Sequence, residues 1–267
     1  MSRRQPPGGQ APVVQRVRVR YAKRGPLRFT SHRDFARALE RALRRAGVPI
    51  AFSQGFTPHP KISYASAAPT GVASEAEYLE LGLRAPMAPA ALVTALDAAL
   101  SPGLDVLDAV AVAAGSGGLA DRLEASRWRI ELPGVEPDAL RRAVAVFEAA
   151  TEVPVQRLTK QGRRQFDARA AVATIGVAGG ARMAEPPVGA PSGVGEVPCA
   201  ILECVVRQVT PSVRPDDVLS GLRVVAGLEP PVPPRATRLA QGPLTMQGEI
   251  ADPLEADRGR MPTGSGG

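Results

Sequence analysis

Residues 17–49 read VRVRYAKRGPLRFTSHRDFARALERALRRAGVP, and they place a strand directly before an amphipathic helix. Between residues 17 and 21, apolar and basic residues alternate, which predicts a half-exposed strand. Ser31 is a good helix N-cap with Asp34 three residues on, and apolar residues then recur at helical spacing until Gly47 ends the pattern. The stretch therefore predicts a strand followed by a helix that buries one of its faces.

The pattern beyond this helix predicts further strands and helices in an order that repeats. We expect strands near residues 62–65, 77–83 and 105–111 and a helix over 89–100 in the first half, then strands near 128–132, 153–159, 200–208 and 237–240 and helices over 138–150 and 215–222 in the second. With the opening strand and helix, each half has the order β-α-β-β-α-β. This order predicts an α+β fold made of tandem, duplicated ferredoxin-like domains.

Composition places the domain boundaries, because Gly, Pro and polar residues dominate the ends and one internal joint. The expected segments are, in order, a disordered N-terminus (1–13), a first domain (14–113), a linker (114–125), a second domain (126–247) and a disordered tail (248–267). The second domain carries a Gly- and Pro-rich insertion over residues 176–198. Its composition argues against a continuous helix or a central strand.

Positive charge is concentrated in one segment of the chain. The 267 residues carry a formal net charge of +7, and the segment 16–45 alone holds eleven Arg or Lys against Asp34 and Glu40. A basic patch of this kind predicts contact with phosphate groups, and nucleic acid is the first candidate. A merely solvated basic face is the alternative.

Several classes of protein are not expected from this sequence. No apolar run approaches the roughly 18 to 20 residues that a membrane span needs, so we expect a cytoplasmic protein without membrane contact. The two cysteines, Cys199 and Cys204, are interpreted as small buried hydrophobic residues. No cluster of Cys, His and carboxylate residues has metal-ligand spacing, so we expect neither a metal site nor another cofactor.

Both histidines of the chain lie in segments that offer phosphate-binding groups. His32 follows Ser31 at the start of the helix, where backbone N–H groups and the helix dipole favour an anion. His59 lies in a loop between Pro58 and Pro60, two residues before Lys61. The candidate catalytic residues are His59, His32 and Lys61. The candidate substrate-binding residues, which supply cations, hydroxyl and amide groups and one aromatic ring, are Lys23, Arg28, Ser31, Arg33, Arg37, Arg41, Arg44, Ser53, Gln54, Phe56 and Ser63.

Three motifs in this region resemble those of a known family. They are Lys-x-Gly-x-x-Arg-Phe-x-Ser-His-x-Asp over residues 23–34, Arg-Ala-x-Arg-Arg-Ala-Gly-x-Pro over 41–49 and Ser-Gln-Gly-Phe-x-Pro-His-Pro-Lys-Ile-Ser over 53–63. The pattern resembles the bacterial radical-SAM-linked protein family, specifically over residues 15–84 and more loosely to about residue 243. In the second half, Lys160 and the segment 166–169 are similar to a family segment with a lysine, an aspartate and an arginine.

The resemblance implies partners and not a reaction. It implies a radical SAM protein encoded nearby and, in members like this one, an RNase E/G-type ribonuclease. The family's activity is not established, so the resemblance assigns no catalytic residue. The chain lacks the Cys-x-x-x-Cys-x-x-Cys motif of a radical SAM enzyme and does not itself hold that iron–sulfur cluster.

Three functions remain open at this point, and whether the chain is an enzyme stays undecided. The first is an RNA-binding accessory protein that works with a radical SAM partner in RNA modification or processing. The second is a metal-independent ribonuclease in which His59 or His32 is the general base and Lys61 or Arg28 stabilises the pentacoordinate phosphate. The third is a protein–protein adaptor for a radical SAM enzyme or an RNase E/G-type ribonuclease. A single groove lined by both histidines, Arg28 and Lys61 would support the site hypothesis.

Overall fold

A computed structural model describes residues 11–113, 115–159, 162–183 and 197–258 of the chain. The chain divides into two units: the first runs to Asp121 and includes the segment from Pro253 onward, and the second comprises Arg122–Asp252. Both units combine helices with antiparallel strands, so the protein has a mixed α/β fold. None of the helices in the described ranges is long and apolar enough to cross a membrane.

The first unit contains every element that the sequence predicts for the first half. The elements are β1 (Gln15–Lys23), α1 (His32–Arg45), β2 (Ile62–Ala65), β3 (Ala73–Leu83), α2 (Pro89–Asp97), β4 (Val106–Ala111) and, from the end of the chain, α5 (Glu255–Arg258). Strand β1 pairs with β3 and β4, and β2 pairs with β3, all antiparallel. The strand order in this unit is therefore β4-β1-β3-β2.

One face of this sheet forms the hydrophobic core with α1. Val17, Val19 and Tyr21 share a face of β1 because alternate residues of a strand point the same way, and all three belong to the core. Phe35 packs flat on Tyr21, with ring centroids 4.5 Å apart. The predicted N-cap is confirmed, since the Oγ of Ser31 accepts a hydrogen bond from an amide in the first turn of α1.

The opposite face of β1 holds a buried arginine. Arg18 is 1% exposed, its Nε lies 3.1 Å from Oε2 of Glu80, and it also donates to the carbonyl of Gly117. A second guanidinium nitrogen lies 2.7 Å from Oδ2 of Asp257 in α5, and that carboxylate also accepts from Oγ of Ser116 at 2.7 Å. A charge removed from water needs such partners, because its desolvation costs several kcal/mol.

These contacts differ from the expectation for two segments. The segment 114–125 was predicted to be a linker and the segment 248–267 a disordered tail, yet the described parts of both contribute ordered contacts to the first unit. The reason is the ion pair between Arg18 and Asp257, which are 239 residues apart in sequence. Local composition cannot reveal a partner at that separation. Residues 259–267 of the tail and residue 114 of the linker lie outside the described residues.

The second unit has a four-stranded sheet and a separate two-stranded one. Its elements are β5 (Ala125–Pro133), α3 (Pro137–Ala149), β6 (Pro154–Thr159), β7 (Gly162–Asp167), β8 (Val172–Met183), β9 (Val197–Arg207), α4 (Pro215–Ala226) and β10 (Arg235–Gly242). The larger sheet has the order β10-β5-β9-β8, and all of its pairs are antiparallel. Strands β6 and β7 pair only with each other among the described strands.

The strand predicted over 153–159 is confirmed as β6, but it lies outside the larger sheet and forms one arm of the β6–β7 hairpin. Strand β8, which the sequence did not predict, lies beside β9. Strand β8 overlaps the Gly- and Pro-rich segment 176–198, and it is at an edge, where glycines are tolerated. A bulge after Val177 includes Gly179 at a φ of +104°. Residues 184–196 of the segment lie outside the described residues.

The interpretation of the two cysteines is confirmed. Cys199 and Cys204 are free thiols on β9, 3% and 2% exposed. Burial raises the pKa of the Cys204 thiol to about 12. Its neighbour across the strands is Trp128 of β5, which is also buried. Both cysteines therefore belong to the apolar interior of the second unit.

The buried ion pair generates a stability prediction. Replacing Asp257 by Ala leaves part of the Arg18 guanidinium buried without its carboxylate, so we expect the free energy of unfolding to fall by about 3 kcal/mol. Replacing the exposed Glu255, whose only described ion pair is with Arg258 in the same turn, should change it by less than about 0.5 kcal/mol. Urea denaturation of both variants measures the difference, and equal small losses would contradict the structural role of Asp257.

Candidate functional site

The loop before β2 is closed at its base by Ser53 and His59. The amide of Ser53 donates to the carbonyl of His59 at 2.7 Å, and the amide of His59 donates to Oγ of Ser53 at 3.0 Å. Gly55, at a φ of +128°, makes the turn that few other residues allow. Phe56 follows at the tip and is 89% exposed. The loop therefore presents an aromatic ring to solvent from a fixed base.

A surface cavity of about 410 Å³ opens beside this loop. Four of the predicted site residues are among those that line it, namely Ser53, His59, Lys61 and Ser63. Arg16 and Glu80 line it as well, and neither was predicted. The cavity thus combines two cations and an exposed imidazole with hydroxyl groups and one carboxylate, a set that suits an anionic ligand.

The carboxylate in this cavity is already neutralised by arginines. Oε2 of Glu80 lies 3.1 Å from Nε of the buried Arg18, and Oε1 lies 3.6 Å from a guanidinium nitrogen of Arg16. The pairing register of β1 and β3 sets Arg18 directly opposite Glu80. Strand alternation was the signal for this cluster, because it places the arginines of β1 on the face opposite the core. The sequence did not show, however, that β3 with Glu80 is the strand that pairs with β1 at this point.

His32 lies on the other face of the sheet. Its ring meets the Tyr64 ring edge-on, with centroids 4.7 Å apart and planes at 74°. Tyr64 in turn packs against Phe35 of α1, with centroids 6.1 Å apart, and burial together with the nearby Glu40 charge raises the pKa of the Tyr64 phenol to about 12. Because residues 63 and 64 of β2 point to opposite faces, His32 lies with the helices and Ser63 with the cavity.

The structure therefore does not bring the two histidines into one groove. His59 and Lys61 line the cavity, whereas His32 contacts Tyr64. Arg28 is also away from the cavity lining, and its guanidinium lies 4.5 Å from the centroid of the Phe29 ring. A site that uses both histidines on one phosphate is not supported by this arrangement.

The four arginines of α1 that were predicted as binding residues are exposed. Arg33, Arg37 and Arg41 are exposed, and within the described residues their guanidinium groups have no hydrogen-bond or ion-pair partner. Arg44 makes only a long contact, 3.9 Å, with Glu40 one turn earlier. Residues four apart on a helix are separated by about 6 Å along its axis. The helix therefore offers a row of unpaired cations to solvent.

Two predicted binding residues have structural contacts instead. Lys23 is 5% exposed, and its Nζ donates to the carbonyls of Ala68 and Pro69 at 3.3 and 3.4 Å. Ser31 caps α1, and its hydroxyl also donates to a carboxylate oxygen of Asp34 at 2.6 Å. Gln54 remains in the exposed loop. Lys23 is thus part of the fold of this unit and not of its solvent-facing surface.

The second unit has a smaller surface cavity with balanced charges. Its volume is about 330 Å³, and Arg127, Glu203 and Glu249 are among its lining residues. A guanidinium nitrogen of Arg127 lies 4.0 Å from Glu249, and Glu203 pairs with Arg129 at 3.8 Å. Within the described residues, no three His, Cys, Asp or Glu side chains gather closely enough to hold a metal ion.

Comparisons with known proteins identify a family and two distant structures. The family model described as "Uncharacterized protein conserved in bacteria (DUF2344)" matches residues 16–215. No curated protein matches the chain. A CRISPR endoribonuclease Cse3 bound to 19 nt RNA is 10% identical over 79% of this chain and 97% of that one, with a TM-score of 0.18. The encapsulated DyP-type peroxidase from Mycobacterium smegmatis is 12% identical over 89% and 93%, with a TM-score of 0.20. Neither score supports an argument about fold or function.

The closed base of the loop generates a prediction. Replacing Ser53 by Ala removes the acceptor of the His59 amide, so we expect a loss of about 1 kcal/mol in the free energy of unfolding and faster exchange of that amide proton. Ser63→Ala is the matched control, because its exposed hydroxyl has no partner within the described residues. Urea denaturation and amide hydrogen exchange measure both effects. Equal exchange rates in the two variants would show that the Ser53 hydroxyl does not hold the loop.

Proposed function

This chain belongs to the DUF2344 family of bacterial proteins, and we propose that it is a cytoplasmic RNA-binding accessory protein of a radical SAM partner. The observation that carries the proposal is the row of unpaired guanidinium groups on α1, formed by Arg33, Arg37 and Arg41. The planar guanidinium fork binds phosphate oxygens in pairs, and an unpaired group offers all of its donors. The radical SAM partner is suggested by the three motifs over residues 23–63.

The loop tip supports RNA as the ligand. Phe56 is 89% exposed, and the cavity beside its loop holds Lys61 and Arg16. Proteins that bind single-stranded RNA combine cations along the backbone with aromatic rings on which bases stack. The loop and its cavity together supply both kinds of contact, a ring in Phe56 and a cation in Lys61.

The strand orders support a finer description of the fold. The first unit has the order β4-β1-β3-β2 and the larger sheet of the second has β10-β5-β9-β8. If the β6–β7 hairpin is an insertion, the two orders correspond strand by strand, with one helix before the second strand and one before the fourth. We propose that the units are duplicated ferredoxin-like domains.

The arginine row predicts salt-dependent RNA binding. We expect Arg37→Gln combined with Arg41→Gln to weaken binding of a labelled single-stranded RNA roughly tenfold. The steepness of the salt dependence, measured as the slope of the logarithm of the association constant against the logarithm of the salt concentration, should fall by about 1.4, because each lost phosphate contact removes about 0.7. Fluorescence anisotropy between about 50 and 200 mM KCl measures both quantities. The matched control is Arg141→Gln with Arg142→Gln on α3, which removes the same charge from exposed helical positions.

Two outcomes would contradict the proposal. The wild-type protein could bind the RNA without salt dependence or not at all, or the two double variants could bind equally. In the second case, the binding follows net charge and not the α1 surface. Retention of the radical SAM partner after nuclease treatment, with no RNA binding, would favour the adaptor function.

One observation favours a second candidate, a metal-independent ribonuclease. The cavity brings His59 together with Lys61 and two serine hydroxyls. An imidazole can act as general base on a 2'-hydroxyl, and a lysine can stabilise the charge that develops on the phosphate. In this form of the hypothesis His32 has no catalytic role, because it lies on the other sheet face with Tyr64.

The ribonuclease candidate has a sharp test. If it is correct, RNA cleavage continues in EDTA, His59→Ala lowers the cleavage rate by about 10² or more, and RNA affinity changes less than about twofold. His32→Ala is the control and should cleave at the wild-type rate. Gel electrophoresis of labelled RNA measures cleavage. Absence of cleavage by the wild-type protein, or equal rates for both variants, would exclude this mechanism.

A further inference from the structure

The β6–β7 hairpin has a rigid base that Asp167 closes. Oδ1 of Asp167 accepts from the amides of Val153 at 2.8 Å and Arg169 at 2.9 Å, and Oδ2 accepts from the amide of Ala170 at 3.1 Å. Asp167 belongs to the segment that resembles a family motif, and these contacts give it a structural role. The Lys160 of the same motif lies outside the described residues.

A second carboxylate fixes one arm of the hairpin to α4. Arg157 of β6 lies 2.8 Å from Oδ2 of Asp217 and donates to the carbonyl of Ser212 at 3.0 Å. Asp217 is 5% exposed and also accepts from the amide of Arg214 at 2.8 Å. The guanidinium of Arg157 covers the Phe166 ring at 5.0 Å from its centroid. The positive charge of Arg157 is therefore neutralised at the base.

The second strand of the hairpin carries unpaired cations. Arg163 and Arg164 of β7 are exposed, and neither has a hydrogen-bond or ion-pair partner among the described residues. They follow one another in the strand, so their side chains point to opposite faces of the hairpin. In the register Arg163 pairs with Leu158 on one face, and Arg164 pairs with Arg157 on the other. The sequence 157–165 contains no acidic residue.

We propose that the β6–β7 hairpin is a second RNA-binding arm, in which Arg163 and Arg164 each contact phosphate groups on one face. The proposal rests on the proposed function, that this chain binds RNA, and it adds a contact in the second unit. A rigid base lowers the entropy lost when the arm is held on a ligand.

The composition of the arm favours phosphate over a protein partner. Leu158 is 78% exposed, but no aromatic ring among the described residues of the arm is equally exposed, since Phe166 lies under Arg157. Protein interfaces are centred on buried aromatic and apolar anchors, and among the described residues of the arm Leu158 is the one large apolar side chain that is exposed. Two unpaired guanidinium groups on opposite faces fit phosphates on both sides of the arm.

Charge removal in the full-length protein tests the arm. We expect Arg163→Gln and Arg164→Gln each to weaken binding of a labelled single-stranded RNA severalfold and to lower the salt slope by about 0.7, and the double variant to lower it by about 1.4. The control is Arg141→Gln with Arg142→Gln, which removes equal charge from α3 in the same unit. The midpoint temperature of thermal unfolding should be the same for all variants and the wild type, because the replaced side chains are exposed.

The same assay separates failure of the arm from failure of the proposed function. If the wild-type protein does not bind the RNA, the proposed function fails. If Arg37→Gln combined with Arg41→Gln weakens RNA binding, while the hairpin variants bind as well as the control variant on α3, only the proposal for the arm is overturned. The arm is also overturned if only one of the two arginines matters, or if polyglutamate at equal charge concentration competes as well as RNA does.

Discussion

The structure of the first unit depends on how a buried guanidinium is neutralised. Arg18 is among the largest fully buried side chains, and its acceptors come from β3, from residue 117 and from α5. Desolvation of the charge costs several kcal/mol, so β1 keeps this arginine in the interior only if all three segments supply their oxygens. The chain's last described residues are therefore held on the face of the sheet that lies opposite the core.

The same guanidinium also sets the charge of the candidate site. Glu80 lies between Arg18 and Arg16, so its negative charge is compensated before any ligand arrives. Lys61 in the cavity is then available to an anion. The arginines of α1 differ, because Arg37 and Arg41 have no partner within the described residues. Arg18 of the strand maintains the fold, whereas these two arginines of the helix are free to contact phosphate.

Local sequence patterns predicted most of the helices and strands. The features that were missed depend on contacts between residues that are far apart in the sequence. The start of α1 follows from Ser31 and its helical spacing, and the proximity of His59 to Lys61 follows from their closeness in sequence. Strand β8 was missed, because glycines that argue against a central strand are compatible with an edge. The burial of Lys23 and the separation of the histidines depend on which face of the sheet each residue lies against, and only the pairing of the strands fixes that.

The distribution of cations favours binding over catalysis. General acid–base cleavage of RNA requires proton-transfer groups within hydrogen-bond reach of one phosphate, and the fold separates His32 from His59 by a sheet. Exposed arginines without a partner among the described residues include Arg37 and Arg41 on α1 of the first unit and, separately, Arg163 and Arg164 on the hairpin of the second unit. Such arginines can contact phosphate groups, but phosphate contacts alone do not select a sequence or a base. In the proposed function the chain would therefore hold the RNA, and the selection of a base and the chemistry would belong to the radical SAM partner.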